Sequence, residues 1–110
     1  MTRLLACAVA ALLLSAGCGD STNPNPNAVT VQDNSFSPSS STIAVGEAIT
    51  WTWAGSVGHN VTWDTGSPAA SPTQTSGTYQ RTFAQAGTFG YHCTIHGGVG
   101  TGMSGTVTVQ

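Results

Sequence analysis

Short runs of alternating or wholly apolar residues, separated by clusters of Gly, Pro, Ser and Asn, recur from Ala28 to the end of the chain. No stretch of this region places apolar residues at helical spacing, and short runs of this kind are typical of β-strands. The pattern predicts strands at 28–33, 41–45, 47–54, 59–64, 76–84, 87–93 and 103–110, with loops at 34–38 and 66–72. Seven short strands without helical crossovers favour an all-β antiparallel sandwich.

Alternation within two of these strands separates a core face from an outer face, because successive side chains of a strand point to opposite sides. The sets that we expect to face the core are Ile49, Trp51 and Trp53 on one strand and Phe89, Tyr91 and Cys93 on another. Trp53 is a candidate for a position near the rim of its sheet. His92 then points outward, as a solvated histidine rather than a metal ligand.

The first part of the chain has a different composition from the body. Arg3 is followed by the apolar run 4–14 and by small residues that lead into Cys18. This layout is typical of a cleavable export signal, and the run is too short to span a bilayer. The segment resembles a bacterial lipoprotein signal, which implies a signal peptide at 1–17 and a lipid on Cys18; a plain secretory cut before Cys18 also fits.

The next residues, 18–27, include two prolines among asparagines and show no periodicity. They predict a flexible tether that precedes a single domain at 28–110. The whole chain has 3 cysteines, and an odd count in an exported protein requires an explanation. Cleavage removes Cys7 and lipidation occupies Cys18, so Cys93 remains as a free thiol and no disulfide is expected.

Charge is scarce in this chain, with 2 Lys+Arg against 4 Asp+Glu and a net charge of -2. Such a chain cannot form the basic surface that neutralises phosphates, which excludes nucleic acid as a partner. The acidic residues Asp33, Glu47 and Asp64 are scattered, so the sequence predicts no acidic docking patch either.

Four residues of the body carry donor atoms that suit a soft metal. Cys93 is followed by His96, then by the glycine-rich segment 97–102 and Met103, while His59 lies far upstream. One thiolate, two imidazoles and a thioether are the ligand set of a blue-copper centre, with three strong ligands and one weak axial sulfur. Ordinary roles compete: Cys93 as a small hydrophobe, His59 as a surface histidine, and Met103 as core packing.

Around these residues the sequence resembles the plastocyanin-like cupredoxins. The resemblance lies in two blocks, 46–64 with Gly58-His59-Asn60-Val61 and 87–109 with Cys93-x-x-His96 and Met103. It implies an eight-strand-type Greek-key sandwich that holds one copper ion near one end, with His59, Cys93, His96 and Met103 as ligands. It also implies that Asn60 ties the His59 strand to the Cys93–His96 loop. The segment between His96 and Met103 is longer than usual in the family, and we expect its extra glycines to bulge outward.

The leading functional interpretation is a carrier of single electrons in the periplasm or at the cell envelope, attached to the membrane only through the N-terminal lipid. We expect a monomer, not an enzyme, that docks redox proteins through an apolar face around His96 formed by Val57, Gly58 and 97–99. The alternative is a copper-holding or copper-delivery protein with the same ligands and no rapid electron transfer. If Met103 is not a ligand, an open copper site with catalytic or ligand-binding activity becomes a third possibility.

Overall fold

A computed structural model describes residues 26–110, so the predicted signal and the lipid site at Cys18 lie outside the described residues. The strands are β1 Ala28–Gln32, β2 Ser35–Ser37, β3 Ser40–Ile43, β4 Ala48–Trp53, β5 Thr62–Trp63, β6 Thr78–Thr82, β7 Gly87–Gly98 and β8 Thr101–Val109. They form two four-stranded sheets, in the orders β2-β1-β4-β6 and β3-β8-β7-β5. The predicted all-β sandwich is confirmed. Between residues 26 and 110 no helix has the length and apolarity to cross a bilayer.

The two sheets are mixed rather than purely antiparallel. From β2 to β7 successive strands alternate between the sheets, so each connection crosses the sandwich. This route makes β1 a parallel neighbour of β4, and β3 a parallel neighbour of β8. Since parallel neighbours end at the same edge of a sheet, the residues that follow β1 and β4 lie together. That edge borders the candidate metal centre.

Several strand boundaries differ from the predicted ones. β2 falls inside the predicted loop 34–38, where a two-residue turn with Asn34 at φ 69° folds it back on β1 and buries Phe36. β5 is shorter than the predicted strand 59–64, because His59 forms only an isolated bridge with Gln74. β7 continues past the predicted end at 93 as far as Gly98.

Aromatic side chains fill the space between the sheets. The predicted inward residues of β4 are buried, including Trp53 at the end of the strand, and Tyr91 and Cys93 of β7 are buried opposite them. The Trp51 ring meets Trp63 and Tyr91 edge to face, at centroid distances of 5.7 and 5.4 Å. Such pairs favour fixed ring orientations beyond the area they bury. The core therefore gives a rigid base to the end of the sandwich that carries the donor atoms.

Arg81 is the one cationic side chain in the described part of the chain. Its guanidinium lies 4.2 Å from the Trp63 ring centroid and 4.4 Å from that of Phe83. Partial burial lowers the pKa of this group. The positive charge thus covers the edge of the aromatic core through cation–π contacts.

Candidate metal centre

Two nitrogen atoms and one sulfur atom from distant parts of the chain converge at one end of the sandwich. Nδ1 of His59 is 3.1 Å from Nδ1 of His96. Sγ of Cys93 is 3.9 Å from the first nitrogen and 3.7 Å from the second. These are the donor atoms of the only His, Cys, Asp and Glu group within residues 26–110 that could hold a metal ion.

The separations between these atoms fit a single metal ion. Bonds of about 2.0 Å to imidazole nitrogen and about 2.3 Å to thiolate sulfur are usual for a first-row ion of this size. A planar three-ligand centre with such bonds separates two nitrogens by about 3.5 Å and sulfur from nitrogen by about 3.7 Å. The observed sulfur–nitrogen distances match, and the nitrogens are slightly closer together. Soft sulfur combined with imidazole is the donor set that suits copper.

An interruption of the β7–β8 pairing places Cys93 and His96. His92 pairs with Ser104 and Gly97 pairs with Gly102, so four residues of β7 lie opposite Met103 alone. The extra residues must leave the plane of the ladder, as in a β-bulge. This irregularity turns both Cys93 and His96 toward the donor cluster. Met103 is buried on β8, opposite residues 93–96 of β7.

Beyond the bulge, the glycine-rich segment forms an ordered hairpin rather than a loose loop. Gly98 pairs with Thr101, and a two-residue turn with Gly100 at φ 67° joins the strands. A Cβ atom on Gly97 would collide with the backbone of Met103. The additional residues therefore extend the β7–β8 hairpin outward and leave its base, at His96 and Met103, closely packed.

His59 is held by its backbone on both sides. Its amide and carbonyl form a pair of 3.0 Å hydrogen bonds with Gln74, and the Trp53 indole N–H donates to the His59 carbonyl at 3.0 Å. The side chain is fully buried. The imidazole accordingly has one orientation, with Nδ1 toward Cys93.

The next residue, Asn60, bridges the two segments that carry the donor atoms. Its Nδ2 donates to the hydroxyl groups of Thr94 at 2.9 Å and Thr73 at 3.0 Å. Its Oδ1 accepts from the Thr94 amide at 3.1 Å and the Thr62 hydroxyl at 2.8 Å. Both N–H donors and both acceptor positions of this buried side-chain amide are thus paired.

Asp33 is a neighbour of the centre that the sequence analysis did not identify. Its Oδ1 lies 3.0 Å from Nε2 of His59, the ring nitrogen opposite the donor cluster. The hydrogen bond with His59, followed by those from the Val57 and Ser56 amides, holds the pKa of the Asp33 carboxyl well below its usual range. The sequence offered one signal, that Asp33 ends the predicted strand 28–33, but only the parallel β1–β4 pairing brings it to His59.

Comparison with known proteins agrees with this geometry. The profile of the family described as "Copper binding proteins, plastocyanin/azurin family" matches residues 26–110. The chain belongs to this family. A plastocyanin from Scenedesmus fuscus is 36% identical, over 68% of this chain and 86% of the relative.

Solved cupredoxin structures show the same fold. A purple cupredoxin from Nitrosopumilus maritimus superposes with a TM-score of 0.63 at 26% identity, covering 76% of this chain and 98% of the other. A reduced amicyanin mutant gives a TM-score of 0.64 at 27% identity, over 76% and 80% of the two chains. The resemblance to plastocyanin-like cupredoxins is confirmed, and the chain is a copper protein with a place for one ion.

His92 of this cupredoxin lies outside the donor cluster but is not solvated. Its Nδ1 is 2.6 Å from Oδ1 of Asp64, and both side chains are largely covered. The prediction of a solvated side chain was wrong, because the β5–β7 pairing sets Thr62 opposite His92 and so brings Asp64 alongside. The pair fixes the outer face of β7 next to Cys93.

The surface around the cupredoxin's donor cluster is apolar. His96 is partly exposed, whereas His59 and Cys93 are buried. Large hydrophobic side chains project from the neighbouring segments: Val57 is 45% exposed, Ile95 55% and Val99 64%. Of the two histidines, only His96 therefore offers a ring edge to a molecule that approaches this end of the sandwich.

Proposed function

We propose that this cupredoxin is an exported type 1 copper protein that carries single electrons between redox partners. The observation that carries the proposal is the convergence of two imidazole nitrogens and one thiolate sulfur at the end of a rigid sandwich, with one imidazole partly exposed. Its membership of the copper-binding plastocyanin/azurin family supports the same function.

In this proposal His59, Cys93 and His96 are the three strong ligands, and Met103 is the weak axial ligand. Three strong ligands and a long axial sulfur are typical of electron-transfer copper sites. Met103 is buried and lies opposite the bulged residues of β7, next to the donor cluster. A copper ion held by these residues would accept one electron from one partner, passing from Cu(II) to Cu(I), and release it to the next on returning to Cu(II).

The contribution of the chain is to keep the donor atoms in one arrangement in both oxidation states. The Gln74 bridge and the Trp53 indole hold the backbone of His59. Asn60 supports the site by connecting His59 to the Cys93–His96 segment through Thr94. Because these contacts do not depend on the charge of the metal, little structure has to rearrange when an electron arrives, and transfer is fast.

The partly exposed edge of His96 is the proposed route for the electron, and the surrounding apolar face is the proposed docking surface. We define this docking face as Val57, Gly58, Ile95 and 97–99, which adds Ile95 to the residues expected from the sequence. With few charges nearby, docking depends on apolar contact and is only weakly sensitive to salt. We infer that partners are redox proteins that meet a monomeric carrier.

We also propose that the mature protein starts at Cys18 after removal of the signal 1–17, with lipid on Cys18 and a tether at 18–27 that leads to the domain at 28–110. Expression of the full chain in a bacterium with export machinery tests this. Membrane fractionation is expected to find the protein with the membranes, and Cys18→Ala to release it into the periplasm or leave it unprocessed. A Cys18→Ala protein that has lost residues 1–17 and still fractionates with the membranes would refute lipid attachment.

The main test of the carrier uses residues 19–110 and Cu(II). An intense visible band from thiolate-to-copper charge transfer is expected, and Cys93→Ser abolishes it. A colourless product rejects the site.

Electron self-exchange between the Cu(I) and Cu(II) forms, measured by NMR line broadening, then distinguishes an electron carrier from a copper-holding or delivery protein. Fast exchange supports the carrier, and slow exchange in a coloured protein favours a copper-holding or delivery role.

We infer that the protein is not an enzyme, since a centre with four protein ligands leaves no position for a substrate. A water proton that exchanges rapidly at the Cu(II) site, seen by relaxivity, would contradict that inference.

A further inference from the structure

Asp33 is bonded to the donor cluster without belonging to it. Its Oδ1 lies 3.0 Å from Nε2 of His59, while Nδ1 on the other side of the ring faces Cys93 and His96. A carboxylate can only accept a hydrogen bond, so Nε2 of a neutral His59 carries the proton. Nδ1 is then left with the lone pair that a metal requires. The contact with Asp33 therefore selects the tautomer of His59.

The Asp33 carboxylate is fixed by the loop that follows β4. The Ser56 amide donates to both oxygens at 3.0 and 3.1 Å, the Ser56 hydroxyl donates to Oδ2 at 3.0 Å, and the Val57 amide donates to Oδ1 at 3.1 Å. Gly55 makes this close approach possible, because a Cβ atom there would collide with the carboxylate. Although the side chain is 38% exposed, its position is set from the loop side and the His59 side together.

The two histidines of the cluster consequently differ in their surroundings. His59 is buried and faces a negative charge at Nε2. His96 is partly exposed, and its hydrogen-bonding contacts within residues 26–110 run through Nδ1 alone. A carboxylate that accepts the second N–H of a ligand histidine raises the basicity of the nitrogen that binds the metal.

We propose that Asp33 is a positioning residue that sets the reduction potential of the centre through His59. The proposal rests on the copper site proposed above. A more basic Nδ1 and a nearby negative charge both favour Cu(II), the ion of higher charge, over Cu(I). Asp33 thus lowers the reduction potential and strengthens the binding of Cu(II).

The test compares two variants of the copper-loaded protein that lose the same charge. Asp33→Asn keeps the size of the side chain next to His59. Glu47→Gln removes a carboxylate from the opposite end of β4, where Glu47 is exposed and accepts a hydrogen bond from the Ala44 amide. Both variants are measured for visible spectrum, reduction potential and Cu(II) affinity by competition.

For Asp33→Asn we expect the colour to remain and Cu(II) affinity to fall about tenfold, the lower end of the usual loss for such a partner. If Cu(I) affinity is unchanged, that loss raises the potential by about 59 mV. For Glu47→Gln we expect no comparable shift. Equal potentials in the two variants, or a lower potential in Asp33→Asn, would overturn the proposal.

Gly55→Ala provides a second measurement that leaves the charge of the chain unchanged. The added Cβ displaces the carboxylate from His59, so the reduction potential is expected to rise as in Asp33→Asn. An unchanged potential in Gly55→Ala would count against the role of Asp33. If Asp33→Asn does not fold, the Gly55→Ala potential alone tests the proposal. A wild-type protein that binds no copper would refute the proposed function instead. If the wild type is blue and the reduction potential is the same in Asp33→Asn and Gly55→Ala as in the wild type, only the role of Asp33 is refuted.

Discussion

Asn60 and Thr94 are joined by two hydrogen bonds, one from the Thr94 amide to the Asn60 oxygen and one from the Asn60 amide to the Thr94 hydroxyl, at 3.1 and 2.9 Å. Thr94 is the residue after Cys93, and Asn60 is the residue after His59. This pair of hydrogen bonds connects the segment that carries His59 and leads into β5 to the neighbouring strand β7, which carries Cys93 and His96. The position of His59 relative to Cys93 therefore depends on a side chain that carries no donor atom for the metal.

Asn60→Ala is expected to weaken both the fold and the metal site. It removes four hydrogen bonds and leaves the Thr94 amide without its partner, a loss of about 4 kcal/mol in the free energy of unfolding at roughly 1 kcal/mol per bond. Cu(II) affinity is expected to fall by about 10-fold or more. Denaturant unfolding and copper competition measure the two effects.

Thr73→Val is the matched control, because it removes only the bond between Asn60 and the exposed Thr73 hydroxyl. We expect it to cost less than about 1 kcal/mol and to leave Cu(II) affinity nearly unchanged. Equal losses in the two variants would show that the bond to Thr94 has no special importance.

Met103→Leu separates an axial ligand from core packing. Leu fills a similar volume, so the free energy of unfolding should change by less than about 1.5 kcal/mol. If the Met103 sulfur contacts copper, its loss leaves an apolar environment that favours the ion of lower charge, and the reduction potential rises while the colour remains. Voltammetry measures the shift. An unchanged potential would show that Met103 only packs in the core.

Tyr91→Phe tests a buried hydroxyl group that makes no hydrogen bond of acceptable geometry among the described residues, with the Trp51 indole as its polar neighbour. Replacement of such a group by an apolar one is expected to leave stability unchanged or to raise it slightly at neutral pH. Tyr79→Phe is the control, since the Tyr79 hydroxyl accepts from the Trp63 indole at 3.1 Å and donates to the Ala69 carbonyl at 3.2 Å. We expect Tyr79→Phe to cost about 1 kcal/mol by thermal unfolding. A larger loss for Tyr91→Phe would contradict the assignment.

We also expect the wild type and Tyr91→Phe to differ in how their stability depends on pH. Burial raises the pKa of Tyr91 to about 12, above the value near 10 of an unfolded tyrosine. The unfolded chain therefore loses its proton first, and stability due to Tyr91 is complete below pH 10 and declines as pH rises toward 12. Tyr91→Phe removes this decline. Unfolding free energies at several alkaline pH values measure the difference between the two copper-free proteins, and parallel pH curves would refute the prediction.

The docking face is tested by electron self-exchange, in which two copies of the protein meet. Val99→Ser removes the most exposed large apolar side chain of the face and is expected to slow self-exchange several-fold. Val45→Ser is the control, since Val45 is 49% exposed at the opposite end of the sandwich. For the wild type we expect a rate that changes little with ionic strength. Equal rates in the two variants, or a steep dependence on salt, would show that docking occurs elsewhere or through charge.

The local pattern of the sequence predicted much of this fold because the relevant physics is local. The side chains of a strand alternate between two faces, so the inward positions of β4 and β7 could be read directly. Cys93 and His96 are close in sequence, and their donor types indicated copper. β2 was missed because a three-residue strand with Pro38 directly after it has the composition of a loop.

The sequence alone determined the β-structure, the core faces and the residue types that bind a soft metal. Tertiary structure decided which strands became parallel neighbours, and through this pairing Asp33 reached His59. It also decided that 97–102 extends the β7–β8 hairpin instead of forming a loose loop. These features could not be read from local pattern, because they depend on strand pairing between residues far apart in the chain, which is set by the packing of the whole sandwich.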